Sequence, residues 1–146
     1  MPSVNVPITS DGAIVRIRIG ISIPRLGQMQ RLKIATPDPV ECRLLIDTGA
    51  SGTCLDGWIF QNLGLEPSGI ANIQTPSTSA GKPHVCNEYD VSVTIAHDGL
   101  HCIFTAIPVI ESSFTHHGID GLLGRDILKD CLLVYNGNLG ICTLSF

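Results

Sequence analysis

Charge is scarce in this sequence: Asp, Glu, Lys and Arg make up only 15% of it, against 44% hydrophobic residues. The nine Lys and Arg are spread along the chain and form no basic patch, which argues against nucleic acid as a partner. No apolar run is long enough to cross a membrane. The longest, such as Cys102 to Ile110, are about half of what a span needs. Met1 to Asp11 has neither the charged start nor the apolar core of a signal peptide, so a cytoplasmic, intracellular protein is expected. The six cysteines include no Cys-x-x-Cys pair, and several sit inside apolar strand patterns. Reduced, buried thiols are therefore expected rather than a disulfide framework. There is no internal repeat, and 146 residues hold one ordinary core, so a single domain over 1–146 is expected. Low charge in so apolar a small domain points toward surface buried against a partner.

The dominant hydrophobic period is two. Val15, Ile17 and Ile19 alternate with Arg16, Arg18 and Gly20, giving a half-buried strand with a basic outer face. Pro24 and Gly27 should break it, and Pro37 and Pro39 should bound a short second strand around Leu32 to Ala35. Val40 to Ile46 reads as a strand ending in Asp47-Thr48-Gly49. Asp56 is placed to cap a short helix through Trp58, Ile59 and Leu63, stopped by Gly64. Ser68 to Pro83 is polar and reads as a long loop or mobile hairpin. Tyr89 to Ile95 alternates as a strand, and Asp98-Gly99 makes a hairpin turn into Cys102 to Ile110. Further along, Gly121 to Gly124 reads as a short buried strand and Arg125 to Asp130 as one or two helical turns. Leu132 to Tyr135 and Ile141 to Phe146 read as strands flanking an Asn136-Gly137 turn. The expectation is an all-β chain with one or two short helices.

Asp47 carries the chemistry. A carboxylate at the end of the apolar strand Leu44-Leu45-Ile46 is held on rigid backbone beside a low-dielectric core, a costly position unless the group is paired or used. One acid alone does not both activate water and protonate a leaving amine. Two carboxylates a hydrogen bond apart do, because they share a proton: one acts as base, the other as acid. Asp11, Asp56, Asp98 and Asp120 each precede Gly, but none has the apolar-strand-Asp-Thr-Gly setting. A second copy of the chain, related by a two-fold axis, is the simplest source of the second acid. Asp-Thr-Gly is also ordinary strand-to-turn chemistry, so the tripeptide by itself is a weak signal.

The wider segment is more specific. Leu44-Leu45-Ile46-Asp47-Thr48-Gly49-Ala50-Ser51 resembles the active-site segment of retropepsins, the retroviral proteases and their cellular and bacterial relatives. The helix ending Leu63-Gly64-Leu65 resembles the bacterial members. Gly121-Leu122-Leu123-Gly124-Arg125-Asp126-Ile127-Leu128 is similar to the family's second hallmark, in the expected order and separation. The tail Cys142 to Phe146 is similar to the closing strand of retroviral proteases. The resemblance implies a closed acid-protease barrel, active as a symmetric homodimer. It implies an aspartic endopeptidase with no cofactor and no metal, acting on peptide or protein substrates. Asp47 would be the catalytic carboxylate, Thr48 would hydrogen-bond across the axis, and Gly49 would make room for substrate backbone. Ala50 stands where pepsins carry Ser, which implies an optimum in mild acid, above that of pepsins. Gly124, Arg125 and Asp126 would be structural or dimer residues. Residues 68–88 would form the flap, with Ser79, Ala80 and Gly81 at its tip.

This sequence departs from the retroviral pattern at Ser51, where a further Asp usually stands. Arg125 is left without that ion-pair partner and is expected to anchor the dimer or the site backbone by hydrogen bonds. The stretch from Pro24 to Pro39 is longer than the tight turn the family leads one to expect. His116-His117, and His84 near Cys86, lack the spacing of a metal site. The Ser79-to-Lys82 match to a Ser-x-x-Lys motif falls in a Gly/Pro stretch and carries no chemistry. Trp58 reads as core. Two rivals stand beside the protease: a non-catalytic dimer or peptide-binding module of the same fold, and a hydrolase using Cys54 as nucleophile.

Overall fold

The fold was analysed in a computed structural model that describes residues 1–75 and 81–146. Among these, ten strands and three short helices follow in the order β1 (Ser3–Thr9), β2 (Gly12–Ile21), α1 (Ile23–Arg31), β3 (Val40–Ile46), β4 (Cys54–Asp56), α2 (Gly57–Asn62), β5 (Gly69–Ile73), β6 (His84–His97), β7 (Leu100–Ser112), β8 (Gly121–Leu123), α3 (Arg125–Leu128), β9 (Leu132–Asn136) and β10 (Ile141–Ser145). Strand β6 pairs with both β7 and β2, so β2, β3, β8, β4, β7 and β6 close into a six-stranded barrel. The expected all-β barrel is therefore the one observed.

Alternation in β2 dictates how the barrel fills. Val15, Ile17 and Ile19 are buried, while Arg16 and Arg18 point to solvent. They join Leu44, Leu55, Val91, Val93, Ile95 and Leu123 in one continuous core, into which α2 delivers Ile59 and Phe60. The Phe60 ring stacks on Tyr89 with centroids 3.8 Å apart. Helix α2 starts where Asp56 accepts a hydrogen bond from the Trp58 N–H at 3.3 Å, the N-cap foreseen from the sequence. Gly64, at φ +61°, ends it. Asp98 and Gly99 both have positive φ, as a two-residue hairpin turn between β6 and β7 requires. All six cysteines are free thiols.

Two expectations need correction. The segment after β2 is not a break followed by a strand at Leu32 to Ala35, but the helix α1 with extended chain after it. Pro24 sits in the first helical turn, where its missing N–H costs nothing. Leu26 and Met29, three apart on one helical face, pack against the core. Leu32 and Ile34 stay exposed, with no neighbouring strand to bury them. The helices are thus three rather than one or two. The N-terminal strand β1 pairs with β10, from Ser3 opposite Ser145 to Pro7 opposite Ile141.

The chain end is held within its own chain. Strand β10 hydrogen-bonds to β1 on one side and to β9 on the other, and Phe146 N–H donates to the Pro2 carbonyl at 2.9 Å. The closing strand lies inside its own chain's sheet. Within the expected flap range, β5 pairs antiparallel with the start of β6, from Gly69 opposite Glu88 to Ile73 opposite His84. Of the expected flap tip, Ser79 and Ala80 lie outside the described residues, and Gly81 has the positive φ of a turn glycine.

Candidate active site

Strand β3 runs through the barrel between β2 and β8 and stops at Ile46. The ladder reaches one bond further, with Asp47 N–H donating to the Leu123 carbonyl at 3.0 Å. The chain then turns. Asp47 Oδ1 accepts from Gly49 N–H at 2.8 Å and from Ala50 N–H at 3.3 Å, so the half-buried carboxylate is clamped by its own loop while Oδ2 takes neither bond. A side chain at position 49 would crowd Asp47 Oδ1, at 3.1 Å from an added Cβ. Thr48 and Gly49 are exposed.

The Gly124-Arg125-Asp126 segment holds this loop from behind. Arg125 N–H donates to the Ala50 carbonyl at 3.0 Å. Its guanidinium Nη1 donates to the Thr48 carbonyl at 2.8 Å and to the Gly49 carbonyl at 3.1 Å. The two ion pairs found among the described residues are Arg16–Glu41 and His97–Asp98, so Arg125 serves the backbone of the loop instead of a carboxylate. Of the two roles expected for Arg125, anchoring the site backbone is the one this geometry displays.

Thr53 is the residue sequence reasoning missed. Fully buried, its hydroxyl donates to Asp126 Oδ1 at 2.8 Å and accepts from Gly124 N–H at 3.1 Å. Its own N–H donates to Asp126 Oδ2 at 3.0 Å, and Ile127 N–H caps Asp126 Oδ1 at 3.0 Å. Asp126 is thus a satisfied carboxylate that ties α3 to the start of β4. Gly124 passes so close to this strand that an added Cβ would strike the Gly52 carbonyl and lie 2.9 Å from Thr53 N. The hallmark glycine is required by close packing of two backbones, not by its own φ. A Thr following a Gly carries no sequence signal of this partnership; only the three-dimensional pairing of β4 with β8 creates it.

Asp47 opens onto a cleft of about 410 Å³, walled by Gly49 to Gly52, Cys54, Ile110 and Leu122, and roofed by Ile73 to Thr75 at the end of β5. Asp47 is the sole carboxylate among the described residues lining it. A second hollow of about 330 Å³ shares Leu122 and is lined by Leu45, Phe114, Ile119, His117 and Asp11. A larger hollow, about 620 Å³, lies beside α1 and contains none of the Asp-Thr-Gly residues, so size alone does not locate the site.

Cys54 lines the cleft, but burial, aided by the charges of Asp126 and Asp47, pushes its thiol up to about 11. A neutral thiol at physiological pH is a poor nucleophile, and this disfavours the Cys54 hydrolase. No three His, Cys, Asp or Glu side chains gather as a metal site among the described residues. No helix among them is long and apolar enough to cross a membrane.

Comparison with known proteins gives this geometry a lineage. The Aspartyl protease family profile matches residues 32–127. The fold is similar to a retropepsin-like aspartic protease from Rickettsia conorii, at 16% identity and TM-score 0.61, covering 99% of this chain and 91% of that one. Weaker likenesses are found to the retroviral protease-like domain of Ddi1 from Leishmania major (15% identity, TM-score 0.43, covering 86% and 82%) and to EIAV protease in complex with the inhibitor HBY-793 (26% identity, TM-score 0.35, covering 62% and 76%). No match is found among curated proteins. The protein belongs to the aspartyl protease family and has a retropepsin-like fold.

Proposed function

We propose that the chain is an aspartic endopeptidase in which two Asp47 carboxylates, one from each of two copies, activate a water molecule between them. One observation carries this reading: a backbone-clamped carboxylate faces an apolar cleft whose described lining holds no second acid. Such a site is half of a proton-sharing pair.

In the dimer the two acids share one proton. The ionised one takes a proton from water as it attacks the scissile carbonyl, and the protonated one donates to the carbonyl oxygen. The tetrahedral intermediate then collapses with proton transfer to the leaving nitrogen, with no covalent enzyme intermediate and no cofactor. Thr48 steadies the pair across the axis, Gly49 leaves room for substrate backbone, and Ala50 withholds the hydroxyl bond that a Ser would add. Arg125, Gly124 and Asp126 keep the loop in place. An extended peptide lies along the cleft as an added strand beneath the hairpin of β5 and β6, and this hairpin closes as the flap. The Leu45, Phe114 and Leu122 hollow receives a side chain next to the cleaved bond.

Incubation of a mixed peptide library at mildly acid pH and high protein concentration tests this, with wild type beside Asp47→Asn and Cys54→Ala. Cleavage by wild type and Cys54→Ala, but not by Asp47→Asn, is expected. A dimer that cleaves nothing would favour a peptide-binding module. Cleavage lost in Cys54→Ala but kept in Asp47→Asn would refute the aspartic mechanism.

A further inference from the structure

We infer that Asp11 makes the chain selective for a cationic side chain, lysine or arginine, in the hollow beside the cleaved bond. The inference rests on the reading of Asp47 as half of an aspartic protease site, and it names the substrate class of that same site.

The floor of the hollow is apolar. Leu45 and Leu122 stand in register across the parallel pair of β3 and β8, and Leu122 also walls the Asp47 cleft. Leu44 turns into the core, so Leu45 faces the other way, and Asp47, two residues on, follows the same pleat. Phe114 and Ile119 complete the apolar wall. A side chain that reaches past Leu122 from the cleft therefore meets about 330 Å³ bounded largely by hydrocarbon.

The rim is different, because its polar residues are Asp11 and His117, both exposed. Each is held by its own turn. Gly12, at φ +98°, lets the turn between β1 and β2 press onto Leu45, whose Cδ1 would be 2.7 Å from an added Cβ. Within that turn Asp11 N–H donates to Thr9 Oγ1 at 3.2 Å, and Thr9 Oγ1 donates to the Gly12 carbonyl at 3.2 Å. On the other side His117 N–H donates to the Phe114 carbonyl at 2.9 Å, and Phe114 N–H donates to Asp56 Oδ2 at 2.7 Å.

The charged groups around these turns are already engaged. Asp56 accepts from the Trp58 and Phe114 amides, Asp120 Oδ2 accepts from Arg43 N–H at 2.8 Å, and Arg43 Nη1 donates to the Gly118 carbonyl at 2.8 Å. The ion pairs found among the described residues are Arg16–Glu41 and His97–Asp98, so the Asp11 carboxylate meets no cation of its own chain there. A wholly apolar side chain would match the floor and ignore the rim. Lysine and arginine match both, with the methylene stem on Leu45, Phe114 and Leu122 and the charged end at Asp11. A glutamate would set one carboxylate against another. Each copy of the chain brings one such hollow, and a two-fold axis sets them on either side of the scissile bond. The substrate class is thus a peptide with basic residues flanking the bond that is cut.

The test uses peptides that differ only at one position next to the cleaved bond, carrying Lys, norleucine or Glu. Norleucine keeps the stem and lacks the ammonium. Values of kcat/KM are compared for wild type, Asp11→Asn and Asp11→Lys, with Asp47→Asn as the blank. Wild type should favour Lys over norleucine by about fivefold, and the ratio should shrink at high salt. Asp11→Asn should lose the preference, and Asp11→Lys should favour Glu over Lys. A wild type that prefers norleucine, or a Lys preference unchanged in Asp11→Asn, would overturn the inference and leave Asp47-dependent cleavage standing. Cleavage that persists in Asp47→Asn, or is absent from wild type, would overturn both.

Discussion

Thr53, named in neither motif, braces the segment behind the site. Its fully buried hydroxyl joins the half-buried Asp126 carboxylate to the buried Gly124 amide. Thr53→Val keeps the shape and deletes both bonds, and should cost about 2 kcal/mol in urea unfolding, with Thr53→Ser much milder. A change below about 0.5 kcal/mol for Thr53→Val would show that the network is not coupled to stability. Cys54 makes a second residue-scale prediction, one that depends on pH. Burial raises its thiol to about 11, and burial with the Asp120 charge raises Cys42 to about 12. Modification of Cys54 by a thiol reagent should therefore be slow at neutral pH and rise about tenfold per pH unit into the alkaline range. The linkage has a definite sign. Between the ordinary thiol value of 9.0 and these raised values the unfolded chain has lost protons that the folded chain retains, so stability falls as pH rises through this window. An alkaline melt series checks it; a flat stability from 9.0 to about 12 would contradict the buried neutral thiols.

At the scale of elements, what was legible followed from local rules. The strand ending at Asp47, the Asp56 cap and the Asp98-Gly99 turn each depend on neighbours in sequence, and each stands where the sequence placed it. Helix α1 was illegible because Pro24 and Gly27 look like breakers. Tertiary burial of Leu26 and Met29 outweighs Gly27, and Pro24 occupies the one helical turn that tolerates it. Position 27 gives a direct check. An added Cβ there meets only Arg31 Nη1, at 3.8 Å, so Gly27→Ala should stabilise the chain by about 1 kcal/mol in thermal or urea melts. A destabilised variant would mean that α1 is not the helix described. Strand β1 was overlooked although Val4, Val6 and Ile8 alternate, because its partner β10 is at the other end of the chain. The Thr53–Asp126 network was hidden for the same reason: 73 residues separate the two. Gly121 is the converse case. Its role as a hallmark was legible, and the structure supplies the cause: a Cβ there would collide with the Cys54 carbonyl across the β4–β8 pair. Gly121→Ala should accordingly destabilise the barrel by about 3 kcal/mol or more, as scored by loss of soluble folded protein.

For the whole molecule, the cleft presents one carboxylate among its described lining residues, and the segments beside that carboxylate hold its loop. Arg125 grips the loop backbone, and Asp126 and Thr53 brace the segment behind it. Completion of the site by a second copy is the central claim, and mixing tests it most directly. Wild type is combined with an equal amount of Asp47→Asn at fixed total concentration, and peptide cleavage is followed after exchange of partners is complete. If each active site needs two Asp47 carboxylates, random pairing leaves about a quarter of the activity of an all-wild-type sample. Retention of about half, the value for chains that each carry a complete site, would contradict the paired-carboxylate account.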